Sequence, residues 1–391
     1  MPKILVTDCW TNKVLSVVRS LGRAGAEVHV LTHRRIAAAP WSTFVKQRTL
    51  CPDPYTETEA YHAFLMDVLL SGGYDCVMPL DEPSIIALQE LAAEIKQLAP
   101  GTRLAIPAQE SFETANDKWR TLQLAVQADV PVPESFLPDT QDEAAAAIAR
   151  LGFPIIIKPR TSSGSRGLKK VYSQEEFDRY YHSIRQRYGA PVVQQCIDAS
   201  GQGLGIGLIA RNGEVLVGYS YKRLREFPVW GGPSTLRETT DNQEIKEYAA
   251  RLVKKLHWTG VAMVEFKHDP VEGRPKLMEI NPRFWGSLEL AAVAGINFPW
   301  LLYLLCTGQD VPGQEYKVGV RCRWLLPGDV AHFLANPERF HLQPSFFRFF
   351  DGNTHYDEFK SYDIRGSIAS VVCVMLSIFD PHIWKVGVFR R

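Results

Sequence analysis

The first hundred residues alternate short apolar runs with segments of helical spacing. Positions 4–7 form an apolar run of strand length, and Val14, Val17, Val18 and Leu21 then recur at helical spacing. Gly22 and Gly25 punctuate the chain before a second apolar run at 28–31. A helix predicted over 57–70 leads to a strand over 76–79, and a further helix covers about 82–98. This is the βαβ rhythm of a parallel sheet covered by helices. The first βα turn, Asp8-Cys9-Trp10-Thr11-Asn12, holds no glycine. Dinucleotide folds need glycines there so that backbone can approach a pyrophosphate, so a nicotinamide or flavin dehydrogenase is disfavoured.

Beyond residue 106 the pattern changes. Asn116 is placed to cap a helix over 117–128, and Asp129-Val130-Pro131-Val132-Pro133 breaks it and reads as a connector. Thr140 with Glu143, and Ser173 with Glu176, are capping boxes that open helices ending near Gly152 and Arg187. Between them lie a strand over 154–159, a Ser/Gly/Arg loop over 161–167 and a strand over 169–172. Strands follow over 191–197, 204–210 and 215–221, then a long loop over 223–238 and an amphipathic helix over 245–256. Two strands, 261–268 and 276–281, precede a helix near 287–294. From Gln309 onward the pattern is aromatic-rich and less regular.

At 391 residues the chain has room for two to four domains. Lys plus Arg number 44 against 43 for Asp plus Glu, a balance that argues against a protein held to nucleic acid by its net charge. Seven cysteines stand singly without a CxxC pair, which favours reduced thiols over a disulfide framework or zinc site. The apolar run at 367–379 is shorter than the roughly 20 residues a membrane span requires. It reads as a buried strand or helix, with peripheral membrane contact through this C-terminal region as the minor alternative. No signal-peptide pattern precedes the first strand, so the expectation is a cytoplasmic protein.

The sharpest chemical signal is the pair of strands around 269–275. A hairpin centred on Glu272 sets Glu265 directly opposite Glu279, and Asn281 shares the face of Glu279. Like charges so opposed repel, and the apolar neighbours Val261, Met263, Phe266, Leu277 and Ile280 worsen it. A shared proton, an arginine or divalent cations would relieve the repulsion. Two carboxylates and an amide oxygen are hard ligands suited to Mg²⁺, and Arg283 adds a planar fork for carboxylate or phosphate oxygens. A surface hairpin with glutamates on its wet face is the alternative. Lys158 ends the strand Ile155-Ile156-Ile157 beside Ser162-Ser163-Gly164-Ser165-Arg166-Gly167, an anion cradle that is not a Walker A loop. Lys118 is a lone cation near a helix start. The loop with Arg223, Arg225, Trp230, Gly231, Gly232 and Arg237 reads as a lid over substrate.

These pieces in this order resemble the ATP-grasp superfamily, over roughly residues 107–308. The segment Met278-Glu279-Ile280-Asn281-Pro282-Arg283 with Val264-Glu265-Phe266 is closest to its carboxylate–amine ligase branch, which includes D-alanine–D-alanine ligase, biotin carboxylase and amino-acid ligases. The resemblance implies a mixed α/β and α+β fold. A parallel pre-ATP-grasp domain (1–106) would precede a two-lobed core with antiparallel sheets (ATP lobe about 130–200, metal lobe about 201–308) and a C-terminal appendage (309–391). It implies that Lys118 and Lys158 contact ATP phosphates, with Ser162, Ser163, Gly164, Ser165 and Gly167 closing over them. Gln194, Gln195 and Ile197 would flank the adenine. Gln202 would stand where relatives carry a ribose-binding glutamate. Glu265, Glu279 and Asn281 would hold Mg²⁺ or Mn²⁺, and Arg283 would stabilise the acyl phosphate or the attacked carboxylate. The implied reaction joins a small carboxylate to an amine with release of ADP and phosphate. Apart from the resemblance, the charges of Arg223, Arg225 and Arg237 in the long loop assign them to the acidic end of the substrate. A bicarbonate-activating carboxylase or carbamoyl-phosphate-type enzyme, and a non-catalytic ATP-binding regulator, are the alternatives. No nucleic-acid partner is expected, and a homodimer is left open.

Overall fold

The computed structural model describes residues 1–162, 166–229 and 231–378. The chain opens with five parallel strands: β1 (Lys3–Val6), β2 (Glu27–Thr32), β3 (Val45–Leu50), β4 (Cys76–Met78) and β5 (Arg103–Leu104). They lie in the order β3-β2-β1-β4-β5. The crossing helices are α1 (Asn12–Arg23), α2 (Thr58–Gly72), α3 (Glu82–Glu90) and α4 (Ala92–Leu98). Val14, Val17, Val18 and Leu21 of α1 are fully buried, as their spacing required. Two details differ from expectation. The helix over 82–98 is two helices meeting at Leu91, and β3 has no counterpart among the predicted elements. β3 is an edge strand whose Lys46, Gln47 and Arg48 all face water, so it carries no alternating apolar signal.

Two short helices follow, α5 (Gln109–Asn116) and α6 (Lys118–Gln127). The cap of α6 is Asp117 and not Asn116: the Asp117 carboxylate accepts from the amides of Trp119 at 2.9 Å and Arg120 at 3.3 Å. An antiparallel four-stranded sheet comes next, built of β6 (Ser135–Phe136), β7 (Ile155–Lys158), β8 (Lys169–Val171) and β9 (Val192–Gln195) in the order β6-β9-β7-β8. Helices α7 (Gln141–Leu151) and α8 (Gln174–Tyr188) cover it, with Ile155, Ile157, Val171, Val193 and Phe177 in the core between. Both bonds of the Thr140–Glu143 capping box form.

A seven-stranded sheet completes the fold. Its strands are β10 (Gly203–Arg211), β11 (Glu214–Glu226), β12 (Ser234–Thr240), β13 (Gly260–Asp269), β14 (Arg274–Asn281), β15 (Arg321–Arg323) and β16 (Thr354–Tyr356), in the order β14-β13-β10-β11-β12-β15-β16. Helices α9 (Gln243–Lys255), α10 (Leu288–Ala294), α11 (Phe298–Cys306) and α12 (Val330–Ala335) pack around it, while α13 (Ile364–Ile378) packs on residues 39–41 beside the parallel sheet. The long loop expected over 223–238 is instead largely the end of β11 and the start of β12, with Arg223 paired to Arg237 across the ladder; Trp230, between them, lies outside the described residues. Its arginines read as loop because their partners are distant in sequence. Arg225 is buried against Asp329 at 2.8 Å and Arg237 against Asp357 at 2.5 Å.

The run at 367–379 falls largely on α13, which is not buried as expected: Ile364, Ile368, Val372 and Met375 are exposed. Its start is nevertheless pinned by Asp363, whose carboxylate takes Arg19 at 2.8 Å and the Ser42 hydroxyl at 2.9 Å. Among the described residues no single helix is long and apolar enough to cross a membrane. Helices α10 and α11 reach that length only together, bent by 96°, and their Leu288, Leu290, Leu301 and Leu302 lie in the core.

Candidate active site

The β13–β14 hairpin sets Glu265 opposite Glu279 and Met263 opposite Asn281, as the arithmetic about Glu272 required. The ladder near the turn runs one residue differently, Phe266 to Leu277 and Lys267 to Lys276. A bulge at Met278 absorbs the extra residue. Bulges re-aim side chains, and here Leu277 and Ile280 both remain in the core while Met278, Glu279 and Asn281 line a cavity of about 910 Å³. Simple alternation from Leu277 would have turned Glu279 inward.

Of the three ways to relieve the opposed carboxylates, the fold uses an arginine, and adds a lysine. Arg223, from β11, reaches Glu265 at 2.5 Å, and Lys118, from the start of α6, reaches Glu279 at 3.5 Å. Burial pushes the Glu265 carboxyl up, against the pull of Arg223 and with the help of Glu279. Burial works on Glu279 in the same sense, but Lys118, Lys158, Arg223 and Arg283 outweigh it and hold that carboxyl below its usual range. Lys158, at the end of β7, lies 3.4 Å from the Met278 carbonyl. Burial, with Lys118 beside it, pushes its ammonium down to about 7, while Glu279 pulls it back up.

Lys118 is no solvated surface lysine. Its ammonium donates to the Ser162 carbonyl at 2.6 Å, its amide donates to the Arg160 carbonyl at 2.9 Å, and Arg160 grips Asp117. These bonds tie the first turn of α6 to the chain leaving β7, so both lysines open on one cavity with Ser162. Gly167 closes the loop at a φ of +76°, a conformation that favours glycine. Ser163, Gly164 and Ser165 lie outside the described residues.

Gln194, Gln195, Ile197 and Gln202 line the same cavity. The Gln194 amide donates to the Ser135 hydroxyl at 2.7 Å and leaves its own buried Oε1 without a partner. Gln195 Oε1 accepts from Lys276 at 3.2 Å, and Gln202 donates to the Arg223 carbonyl. Arg225 and Arg237 also face the cavity, but their charges are met by Asp329 and Asp357. Arg283 bridges to the parallel sheet, with Nε 2.9 Å from Glu82 and 3.6 Å from Asp81.

The structure adds Lys13, Asp81, Glu82, Trp10 and Tyr55 to the neighbourhood. Lys13 is buried and lies 2.5 Å from Asp81. The Arg283 guanidinium and Lys13 overcome burial and hold the Glu82 carboxyl down to about 2. No local motif marks these residues. Their signal is position, at the carboxyl ends of parallel strands beside the reversal in strand order, where such sheets bind ligands.

Comparison with known proteins returns two adjoining matches. Residues 117–200 match the family described as carbamoyl-phosphate synthase L chain, ATP binding domain, and residues 201–325 match ATP-grasp in the biosynthetic pathway with Ter operon. The chain is 24% identical over 191 residues to the carbamoyl phosphate synthase large chain of Archaeoglobus fulgidus, covering 47% of this chain and 18% of that protein. It thus spans less than a fifth of that relative's length. Among solved structures, biotin carboxylase from Campylobacter jejuni superposes with a TM-score of 0.66 at 16% identity, over 82% of this chain and 74% of the other. The L-amino acid ligase from Bacillus licheniformis superposes with a TM-score of 0.59 at 18% identity, over 78% and 74% of the two chains.

Proposed function

Because the chain carries an ATP-grasp core, we propose that it is an ATP-dependent enzyme that activates a carboxylate as an acyl phosphate and joins it to an amine, releasing ADP and phosphate. The observation that carries this reading is the convergence of Glu265, Glu279 and Asn281 with Lys118 and Lys158 on one cavity. A carboxylate is a poor electrophile. Phosphorylation turns one of its oxygens into a leaving group, which the amine then displaces, and no covalent enzyme residue is needed. This agrees with a site rich in cations and carboxylates.

In this mechanism Lys118 and Lys158 meet the charge of the phosphate chain. The unpartnered Gln194 Oε1 and the segment leaving β9 at Ile197 offer an acceptor and backbone groups to a flat base. The donor chemistry of Glu265, Glu279 and the Asn281 amide oxygen, two half-buried carboxylates and an amide, fits a hard divalent cation, Mg²⁺ or Mn²⁺. Among the described residues no third His, Cys, Asp or Glu joins this set, so phosphate oxygens would complete the shell. Such an ion would offset developing charge on the transferred phosphoryl group. Arg283, held by Glu82 and Asp81, orients the carboxylate of the acid substrate. Arg223 is the cavity arginine best placed to meet further substrate charge, since its partner Glu265 belongs to the site itself.

The test is phosphate release from Mg-ATP, screened over pools of amino acids and small carboxylic acids. Release that depends on a pool, with ADP and not AMP as co-product, is the expected result. Glu279→Gln removes one charged oxygen ligand and is expected to lower that release at least about 100-fold. Nucleotide bound firmly with no pool-dependent release would sink the proposal.

A further inference from the structure

The cavity that holds Glu265 and Glu279 also reaches Trp10, Thr11 and Tyr55 in the loops at the carboxyl ends of the parallel sheet. Three polar atoms in these loops are buried without a partner: Trp10 Nε1, Thr11 Oγ1 and His33 Nδ1. Buried polar groups are ordinarily paired, so three in one neighbourhood point to a ligand that brings the missing acceptors. Thr11 is the N-cap of α1, yet its side chain makes no capping bond, and the first turn holds no acidic residue. That leaves both the hydroxyl and the positive end of the helix open to an anion.

The chemistry of the other two atoms is set by their surroundings. His33 Nε2 accepts from Arg34 Nε at 3.4 Å, which assigns the ring proton to Nδ1. Burial holds this imidazole below its usual pKa, so it is neutral at pH 7. Trp10 Nε1 and His33 Nδ1 are therefore both N–H donors. The walls are aromatic: ring centroids lie 5.7 Å apart for Trp10 and His33, 6.5 Å for Trp10 and Tyr55, and 6.4 Å for His33 and Tyr55. The Arg34 guanidinium stacks over Trp10 at 4.6 Å. Nearby acids are engaged. Asp81 holds Lys13, Asp8 accepts from the amides of Leu80 and Asp81 and from the Ser84 hydroxyl, and Asp53 accepts from the Tyr55 amide.

We propose that Trp10, Thr11, His33 and Tyr55 form a subsite for an anionic oxygen group, carboxylate or phosphate, carried on a flat ring. That this ligand is one of the two substrates rests on the ligase reading above; the binding chemistry does not. The probes are benzoate, phenyl phosphate, benzyl alcohol and acetate, each titrated into the full nucleotide-free chain by ligand-observed NMR. Benzoate or phenyl phosphate is expected to bind at least about tenfold more tightly than benzyl alcohol or acetate, and the better of the two names the anion.

Trp10→Phe keeps a ring and removes the donor. It is expected to weaken the winning probe about tenfold while leaving affinity for Mg-ATPγS unchanged. Thr11→Val serves the same purpose should Trp10→Phe fail to fold. Equal binding of all four probes, or unchanged binding in both variants, overturns the proposal. The expected binding pattern without ATP turnover in any pool would uphold the subsite and bring down the ligase reading instead.

Discussion

Lys158 shows how much one side chain's charge depends on its company. Its folded pKa is pushed from 10.5 to about 7 by burial first and by Lys118 second. Between those two values the unfolded chain holds a proton that the folded chain has released. Its burden on stability is therefore full below about pH 7 and fades as the pH rises towards 10.5. Lys158→Met is accordingly expected to stabilise the chain most at acid pH, with the gain in urea midpoint shrinking as pH rises. For nucleotide affinity the direction reverses. Discharging the ammonium between pH 6 and 9 removes a charged donor, so ATP binding is expected to weaken about tenfold over that range, whereas Lys158→Arg flattens the profile. Calorimetric titration at several pH values checks both. The opposed pair Glu265 and Glu279 was legible in the sequence because a hairpin brings together residues only fourteen positions apart. The Arg283–Glu82 contact, across 201 positions, had no such local cue.

Among the elements, β10 decides how the site is floored. Gly203, Gly205 and Gly207 share one face of it, alternating with buried Leu204, Ile206 and Leu208; Gly203 lines the cavity, while Gly205 and Gly207 lie beneath Tyr221 and Trp285, which line it. The glycines make room for aromatic rings: a Cβ at Gly205 would stand 2.5 Å from the Tyr221 ring, and one at Gly207 would press on Trp285 and Tyr219. Gly207→Ala is expected to destabilise the fold by about 1–3 kcal/mol, since both rings are fully buried and have nowhere to retreat. A lower urea midpoint with unchanged slope would record it. The hairpin beside β10 shows what sequence reading can and cannot reach. Counting outward from Glu272 found the correct partners, but the bulge at Met278 was invisible because it is settled by which residues the core accepts. The same limit hid the strands through Arg225 and Arg237. Their charges resemble a solvated loop until Asp329 and Asp357 arrive from about a hundred positions away.

For the molecule as a whole, the joint between the parallel sheet and the C-terminal segment is made by buried charge. Asp363 accepts from Arg19, Ser42, Thr43 and Gly366, and neither Asp363 nor Arg19 meets solvent appreciably. Lys360 adds a second clasp, 2.6 Å from Glu289. Removing one partner of a buried pair strands the other, so Asp363→Ala is expected to cost about 3–5 kcal/mol. Combined with Arg19→Leu the loss should be well short of additive, which a double-mutant cycle in urea would show.

This clasp also sets an order in time. Arg19 leaves a ribosome 344 positions before its counter-charge. At about 5–20 residues per second, Arg19 waits roughly 20–70 s for the charge that neutralises it. For most of that interval the parallel sheet is complete in length yet unfinished in charge, and Asp363 is the residue that seals it.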